Sequence, residues 1–316
     1  MARKDVLDLD DFTFDEIEQV LVTAESMREV LSRPIRRVPP LRGKTIVNLF
    51  YEASTRTRIS FELAAKNLSA DVVNVSSSGS SVEKGESLVD TVRTLQALGA
   101  DIVVMRHHQA GAPYLVAKEL RGSVINAGDG WHAHPTQSLL DLFTIRRQFG
   151  RLAGLNVVII GDILHSRVAR SNIWGLTKMG ARVTLCGPPT LMPDFGSLIR
   201  RAGLPALSVC YDLDRCLEGA DVLMALRIQR ERQEGGLLPS LREYVRLYQL
   251  NTERLERAQP GAMVMHPGPM NEGVEISSDV ARGTKSLIEE QVTNGVAIRM
   301  AILYLLAGEW VETAVA

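Results

Sequence analysis

The stretch NLFYEASTRTRISFELAAKNL, Asn48 to Leu68, decides how this chain is read. Its first residues complete an apolar segment, Ile46–Phe50, of the length and composition of a buried strand. Phe61, Ala64, Ala65 and Leu68 then recur at helical spacing, so the strand gives way to an amphipathic helix. Ser54 or Thr55 stands where a helix N-cap belongs. A cap among solvated charges is the plain explanation, but Arg56 and Arg58 argue against it. The positive end of a helix dipole disfavours cations. Two arginines there make electrostatic sense if an anion shares the space, and free N–H groups, hydroxyls and guanidinium forks together suit a phosphate.

The same strand-then-helix unit repeats on either side. Strand-like segments fall at Ile46–Phe50, Val72–Val75, Ile102–Arg106, Val124–Ala127, Val157–Ile160, Val183–Cys186, Leu207–Cys210, Val222–Leu226 and Met263–His266. Helical patterns lie between them, near 57–68, 87–98, 113–121, 135–149, 166–179, 194–202, 213–219 and 240–258. This alternation predicts an α/β chain with parallel sheets covered by helices. Gly150–Leu155 is the expected domain boundary, giving two domains, each a parallel sheet flanked by helices, with the active site in the interdomain cleft. A last helix, about 285–308, carries Val292, Val296, Met300 and Leu303 on one face and must bury it. Ligands of such sheets gather at the carboxyl ends of strands. STRTR, Arg106, His134, Arg167, Arg227 and His266 all fall there, more cations and imidazoles than scattered surface charge explains.

Composition narrows the function classes. The 316 residues are 45% hydrophobic and 23% charged with a formal charge of −1, which speaks against a nucleic-acid coat. MARKDVLDLDDF lacks the apolar core of a secretory leader, and no apolar run approaches membrane-spanning length, so a cytoplasmic protein is expected. Cys186, Cys210 and Cys216 show no metal-ligand spacing and read as reduced thiols without structural zinc. Gly43-Lys44-Thr45 imitates the end of a phosphate loop but precedes its strand, and VVIIGDILHSR has one glycine where a dinucleotide turn needs three. No nucleotide, metal or other cofactor is expected.

Three further motifs carry chemistry. SSSGSSVEKGESLVDT, residues 76–91, presents Lys84 from a Ser/Gly-rich loop that composition alone would make a linker. HPTQSLLDLFTI, residues 134–145, sets His134 and Gln137 one helical turn apart at a helix start. ALRIQRER, residues 225–232, puts Arg227 and Gln229 on one side of an extended segment, with Arg230 and Arg232 as ordinary surface charge.

In this order and spacing, STRTR, the Lys84 loop, MRH, HPTQ, GDILHSR, RIQRER and HPGP resemble the catalytic chains of aspartate carbamoyltransferases, within the aspartate/ornithine carbamoyltransferase superfamily. STRTR with HPxQ marks the superfamily alone. HPGPMNEGVEI stands where ornithine enzymes carry Cys-Leu-Pro, and their Asp-x-Trp-x-Ser-Met segment has no counterpart here. The resemblance implies transfer of the carbamoyl group of carbamoyl phosphate to L-aspartate, in pyrimidine biosynthesis. It implies that residues 1–150 bind carbamoyl phosphate, with the C-terminal helix 285–316 packing back on them, and that residues 151–284 bind L-aspartate. It also implies that Ser54, Thr55, Arg56 and Thr57 hold the phosphate, and that Arg106, His134 and Gln137 hold the carbamoyl end. The backbone at Gly268 and Pro269 would accept the carbamoyl amino group, and Arg167, Arg227 and Gln229 would take L-aspartate. Ser80 and Lys84 would reach a neighbouring subunit's site, making a homotrimer a catalytic requirement. A regulatory chain or another pyrimidine enzyme are the candidate further partners; neither nucleic acid nor membrane is expected. His165 stands where some relatives have tyrosine and is left out of the site.

Charge agrees with the assignment. Two carboxylates and a phosphate would meet Arg56, Lys84, Arg106, Arg167 and Arg227. Thr57, Arg106 and His134 would stabilise the carbonyl oxygen as negative charge develops on it. The rival acceptor is ornithine or an acylated ornithine, whose cationic side chain would call for acidic residues where Arg227 stands. A non-catalytic homologue would have lost the STRTR arginine or the HPxQ histidine; both are present.

Overall fold

The computed structural model describes residues 3–76, 86–193, 207–229 and 236–313. Contacts divide the chain into two compact units, Met1–Phe143 with Thr293–Ala316, and Thr144–Val292.

In the first unit β1 (Thr45–Phe50) is buried at five of six positions, because it lies inside a sheet covered by helices. It pairs in parallel with β2 (Asp71–Ser76) on one side and β3 (Ile102–His107) on the other, and β4 (Ser123–Asp129) lies beyond β3. The order is β2-β1-β3-β4. Val47, Leu49, Val103, Met105 and Val124 share one core with Val92 of α3 (Leu88–Ala97) and Val116 of α4 (Ala112–Glu119). Each such side chain contributes about 2 kcal/mol on leaving water. The sequence-based alternation begins at Ile46 and so omits α1 (Phe14–Ser32). That helix buries Ile17, Val20, Leu21 and Ala24 and starts at a capping box, in which Glu16 N–H donates to Thr13 Oγ1 at 3.2 Å and Thr13 N–H to Glu16 Oε2 at 2.8 Å.

The second unit repeats the plan with five parallel strands. These are β5 (Asn156–Ile160), β6 (Arg182–Cys186), β7 (Leu207–Cys210), β8 (Val222–Ala225) and β9 (Met263–Met265), in the order β7-β6-β5-β8-β9. Gly161, at φ +126°, has to be glycine: a Cβ there would come within 2.6 Å of the Leu226 carbonyl oxygen. The loops after β5 and β8 therefore start in backbone contact.

One helical expectation changes and one is left outside the described residues. The pattern over 240–258 is two helices, α8 (Leu241–Tyr248) and α9 (Thr252–Leu255), and the helix expected at 194–202 lies outside the described residues. The C-terminal helix α11 (Ile288–Thr313) buries Ala297, Ile298, Met300, Ala301, Ile302 and Leu303, whereas Val292 is exposed. It also corrects the expectation about apolar runs. Ile288–Gly308 is long and apolar enough to cross a membrane by length and composition, and 67% of that window is buried inside the fold. A core helix passes the same test.

Candidate active site

In each unit the sheet order reverses at one place, and at such a switch point the two flanking loops splay apart at the strand carboxyl ends. In the first unit the reversal lies between β1 and β3. The loop after β1 runs into α2 (Thr55–Asn67), with Ser54 at the N-cap in extended conformation, φ −159° and ψ 99°. Its hydroxyl makes no capping bond and the first turn holds no acid. The turn's N–H groups are thus not consumed by a side-chain cap at Ser54. Arg56 is exposed, and Thr57 is buried.

Arg106 sits across from this turn, in register with Phe50, and its carbonyl accepts the Tyr51 N–H at 2.9 Å. Its guanidinium donates to Glu52 Oε1 at 2.6 Å and to the Ala127 carbonyl at 3.2 Å. With a side chain only 11% exposed, it is held on the protein rather than waving in solvent. The third contribution follows β4, where His134 immediately precedes α5 (Pro135–Phe149). The His134 carbonyl accepts the Gln137 and Ser138 N–H groups, and Gln137 Nε2 donates to Asp141 Oδ1 at 3.0 Å. Both His134 and Gln137 are buried. Because β1, β3 and β4 are neighbours, these three loops leave strands spaced by about 5 Å.

Asp129 shapes the turn that delivers His134. Its buried carboxylate accepts from Asn126 Nδ2 at 2.8 Å, Gly111 N–H at 2.7 Å and Ala133 N–H at 3.0 Å, and it lies 3.2 Å from His132 Nδ1. Burial pushes this carboxyl up, but the His132 ring and the other donors outweigh it and hold it below the usual range. His132 is raised in turn, first by its bond to Asp129.

In the second unit the reversal lies between β5 and β8. Arg167 opens α6 (Arg167–Lys178) after β5 and is buried. Arg227 and Gln229 follow β8, and Arg227 Nη2 donates to Gln229 Oε1 at 3.0 Å, so the pair does share one side of its segment. Asp162 ties the two loops: it accepts from Gln229 N–H at 3.1 Å and His165 N–H at 3.2 Å, with His165 Nδ1 at 2.8 Å. His165 is thus a buried brace beside Arg167. Beyond β9, the next strand along, Gly268 turns the chain at φ +62°.

Ser80, Lys84, Arg230 and Arg232 lie outside the described residues. Sequence reasoning missed the carboxylates that hold these cations and loops, Glu52, Asp129, Asp141 and Asp162. Their signal was position: Glu52 and Asp162 each stand two residues beyond a strand end that carries an arginine loop.

The family described as aspartate/ornithine carbamoyltransferase, carbamoyl-P binding domain, matches residues 4–147, and its Asp/Orn binding domain matches residues 153–306. The aspartate carbamoyltransferase catalytic subunit of Chloroflexus aggregans is 67% identical over 306 residues, covering 97% of this chain and 99% of that protein. Among solved structures, Trypanosoma cruzi aspartate transcarbamoylase in complex with carbamoyl aspartate and phosphate superimposes with a TM-score of 0.86 at 30% identity, covering 95% of both chains. Ornithine carbamoyltransferase from Pyrococcus furiosus superimposes equally well, with a TM-score of 0.86 at 29% identity over 96% of this chain and 97% of that one. Backbone shape is therefore common to both acceptor specificities.

Proposed function

The chain belongs to the aspartate/ornithine carbamoyltransferase family, and from that premise we propose that it carbamoylates L-aspartate, giving N-carbamoyl-L-aspartate and phosphate for pyrimidine biosynthesis. The supporting observation is the 67% identity over nearly the whole of a catalytic subunit of that name, since the fold alone does not choose between acceptors.

The roles follow the two switch points. The first turn of α2, with Ser54, Thr55, Arg56 and Thr57, takes the phosphate through N–H groups, hydroxyls and a guanidinium. Thr57, Arg106 and His134 donate to the carbonyl oxygen, and Gln137 and the backbone at Gly268 and Pro269 receive the carbamoyl amino group. Arg167, Arg227 and Gln229 bind the acceptor's carboxylates. Ser80 and Lys84 come from the neighbouring chain of a cytoplasmic homotrimer.

The neutral α-amine attacks the carbonyl carbon, a C–N bond forms, and negative charge grows on the oxygen. The C–O bond to phosphate then breaks, and the phosphate carries away the amine proton. No strong protein base is required. Each donor aimed at the oxygen is worth on the order of 3 kcal/mol of barrier. Holding two mutually repelling anions at attack distance supplies much of the remainder.

Ureido-product formation from carbamoyl phosphate, run in parallel with L-aspartate and L-ornithine, tests this. Product with aspartate alone is expected. Product with ornithine alone would keep the phosphate roles and overturn those of Arg227 and Gln229.

A further inference from the structure

The turn after β9 is braced by a buried polar pair that none of the roles above uses. The His266 ring has no exposed surface, and the Glu275 side chain is 1% exposed. The Gly268 N–H donates to His266 Nδ1 at 2.8 Å, so that nitrogen must be unprotonated. The proton of the neutral ring then sits on Nε2, which faces Glu275 Oε1 at 3.1 Å. The same oxygen accepts the Asn271 N–H at 2.7 Å, and the His266 N–H donates to Gln291 Oε1 at 2.9 Å. Three of these bonds hold backbone N–H groups within His266–Asn271, and the fourth joins the ring to Glu275. One tautomer of one ring thus sets the orientation of the Gly268 peptide, a residue whose left-handed φ of +62° leaves it no regular ladder to rely on.

Stability is a poor reason for such a pair. Exchanging a buried ionic or polar pair for apolar side chains of similar volume is often neutral or stabilising. What it supplies is direction, as when the second nitrogen of a catalytic imidazole is held by a carboxylate.

We infer that His266 is a positioning residue for carbamoyl transfer, its imidazole held in the Nε2–H tautomer by Glu275 so that Nδ1 fixes the Gly268 peptide and aims the turn's carbonyl groups at the carbamoyl amino group. The inference rests on the carbamoyl-phosphate role given to Gly268 and Pro269 above.

Two substitutions at one position separate the bonds. In His266→Asn the amide oxygen stands near the Nδ1 position and keeps an acceptor for Gly268. His266→Gln instead keeps a donor near Nε2 for Glu275 and abandons Gly268. His266→Gln is expected to lose kcat/KM for carbamoyl phosphate on the order of tenfold to a hundredfold, as a misdirected contact does. Its KM for L-aspartate should stay within about twofold, because that subsite is untouched. His266→Asn should recover most of the loss. A bond that merely staples the chain would lower Tm in both variants and leave the kinetics of the folded fraction alike. Wild-type kcat/KM for carbamoyl phosphate in folded His266→Gln overturns the inference.

The native protein gives a readout that needs no variant. Nitrogen NMR with labelled histidine should find the Nε2–H tautomer at His266, and carbamoyl phosphate without aspartate should move its Nδ1 resonance. A proton on Nδ1, or a resonance indifferent to carbamoyl phosphate in an enzyme that turns it over, also overturns the inference. A wild-type protein that forms no carbamoyl product from carbamoyl phosphate fails at the earlier reading instead, and the two failures are told apart by that assay alone.

Discussion

At Asp8 a carboxyl group has been carried almost wholly out of water beside Asp10, and burial pushes it up to about 6. His132 Nε2 lies 3.7 Å from its Oδ2, and Asp129, Asp10 and the Tyr114 ring also face that imidazole. Asp8 titrates higher folded than unfolded, so its contribution to stability is full below about pH 4 and lost as pH rises through about 6. His132 is raised as well, so its contribution is present below about pH 6.5 and lost above its folded value. The two act in the same direction, and Tm should climb as pH falls from 8 to 5. Asp129, being lowered, opposes this only in stronger acid, as pH falls below about 4. Asp8→Asn keeps an oxygen for the Leu9 N–H, now accepted at 2.7 Å, while removing the buried charge. It should flatten the climb between pH 4 and 6 and raise stability at pH 7.5 by up to about 3 kcal/mol. A pH series of thermal melts on both proteins checks this, and an unchanged slope would remove Asp8 from the account. His132→Asn should flatten the melts above pH 6.5 instead.

At the scale of elements, α11 is tied to α2 by one arginine, whose charge also feels Asp141 of α5. Arg299 Nη1 donates to Ser60 Oγ of α2 and to the Gly295 carbonyl, both at 2.9 Å, and its guanidinium stands 5.1 Å from the Phe61 ring centroid. Burial lowers it to about 10, and the charge of Asp141, the acceptor of Gln137, opposes that drop. Arg299→Leu removes a buried guanidinium and its bond to Ser60 Oγ, and should cost on the order of 1–3 kcal/mol in denaturant melts. If α2 and α5 carry the proposed phosphate and carbamoyl contacts, the variant should also raise KM for carbamoyl phosphate more than for aspartate. The nine strands among the described residues were legible in the sequence, because buried parallel strands are unbroken apolar runs bounded by turns. The boundary between α8 and α9 was not. There Leu250 leaves the helix to bridge Ile276, its N–H donating to the Glu275 carbonyl at 3.0 Å, and Asn251 starts α9 as its cap. A partner 26 positions away overrode a helical period that was correct on both sides of the break. The polar braces were illegible for the same reason. The pairing of Arg106 with Glu52 spans 54 positions, and nothing in the local pattern of either residue announces the other.

At the scale of the whole molecule, a chain with a formal charge of −1 sets Arg56 and Arg106 at one switch point and Arg167 and Arg227 at the other, and Lys84 lies outside the described residues. If Lys84 serves the site of the next chain in a homotrimer, Arg56 and Lys84 of one working site come from different chains. Arg56→Ala and Lys84→Ala alone should each lower activity by about a hundredfold or more while leaving folded trimers. Equal amounts of the two variants, unfolded and refolded together, distribute at random around the threefold ring. A site then works when its Arg56 comes from the lysine variant and its Lys84 from the arginine variant, and about a quarter of sites meet both conditions. The mixture should therefore regain roughly a quarter of wild-type activity per chain, far above either parent. Native mass spectrometry with one variant isotopically heavy shows whether hybrids have formed. Hybrid trimers as inactive as their parents would mean that each chain supplies both residues to its own site, and the case for an obligatory trimer would fall with the shared site.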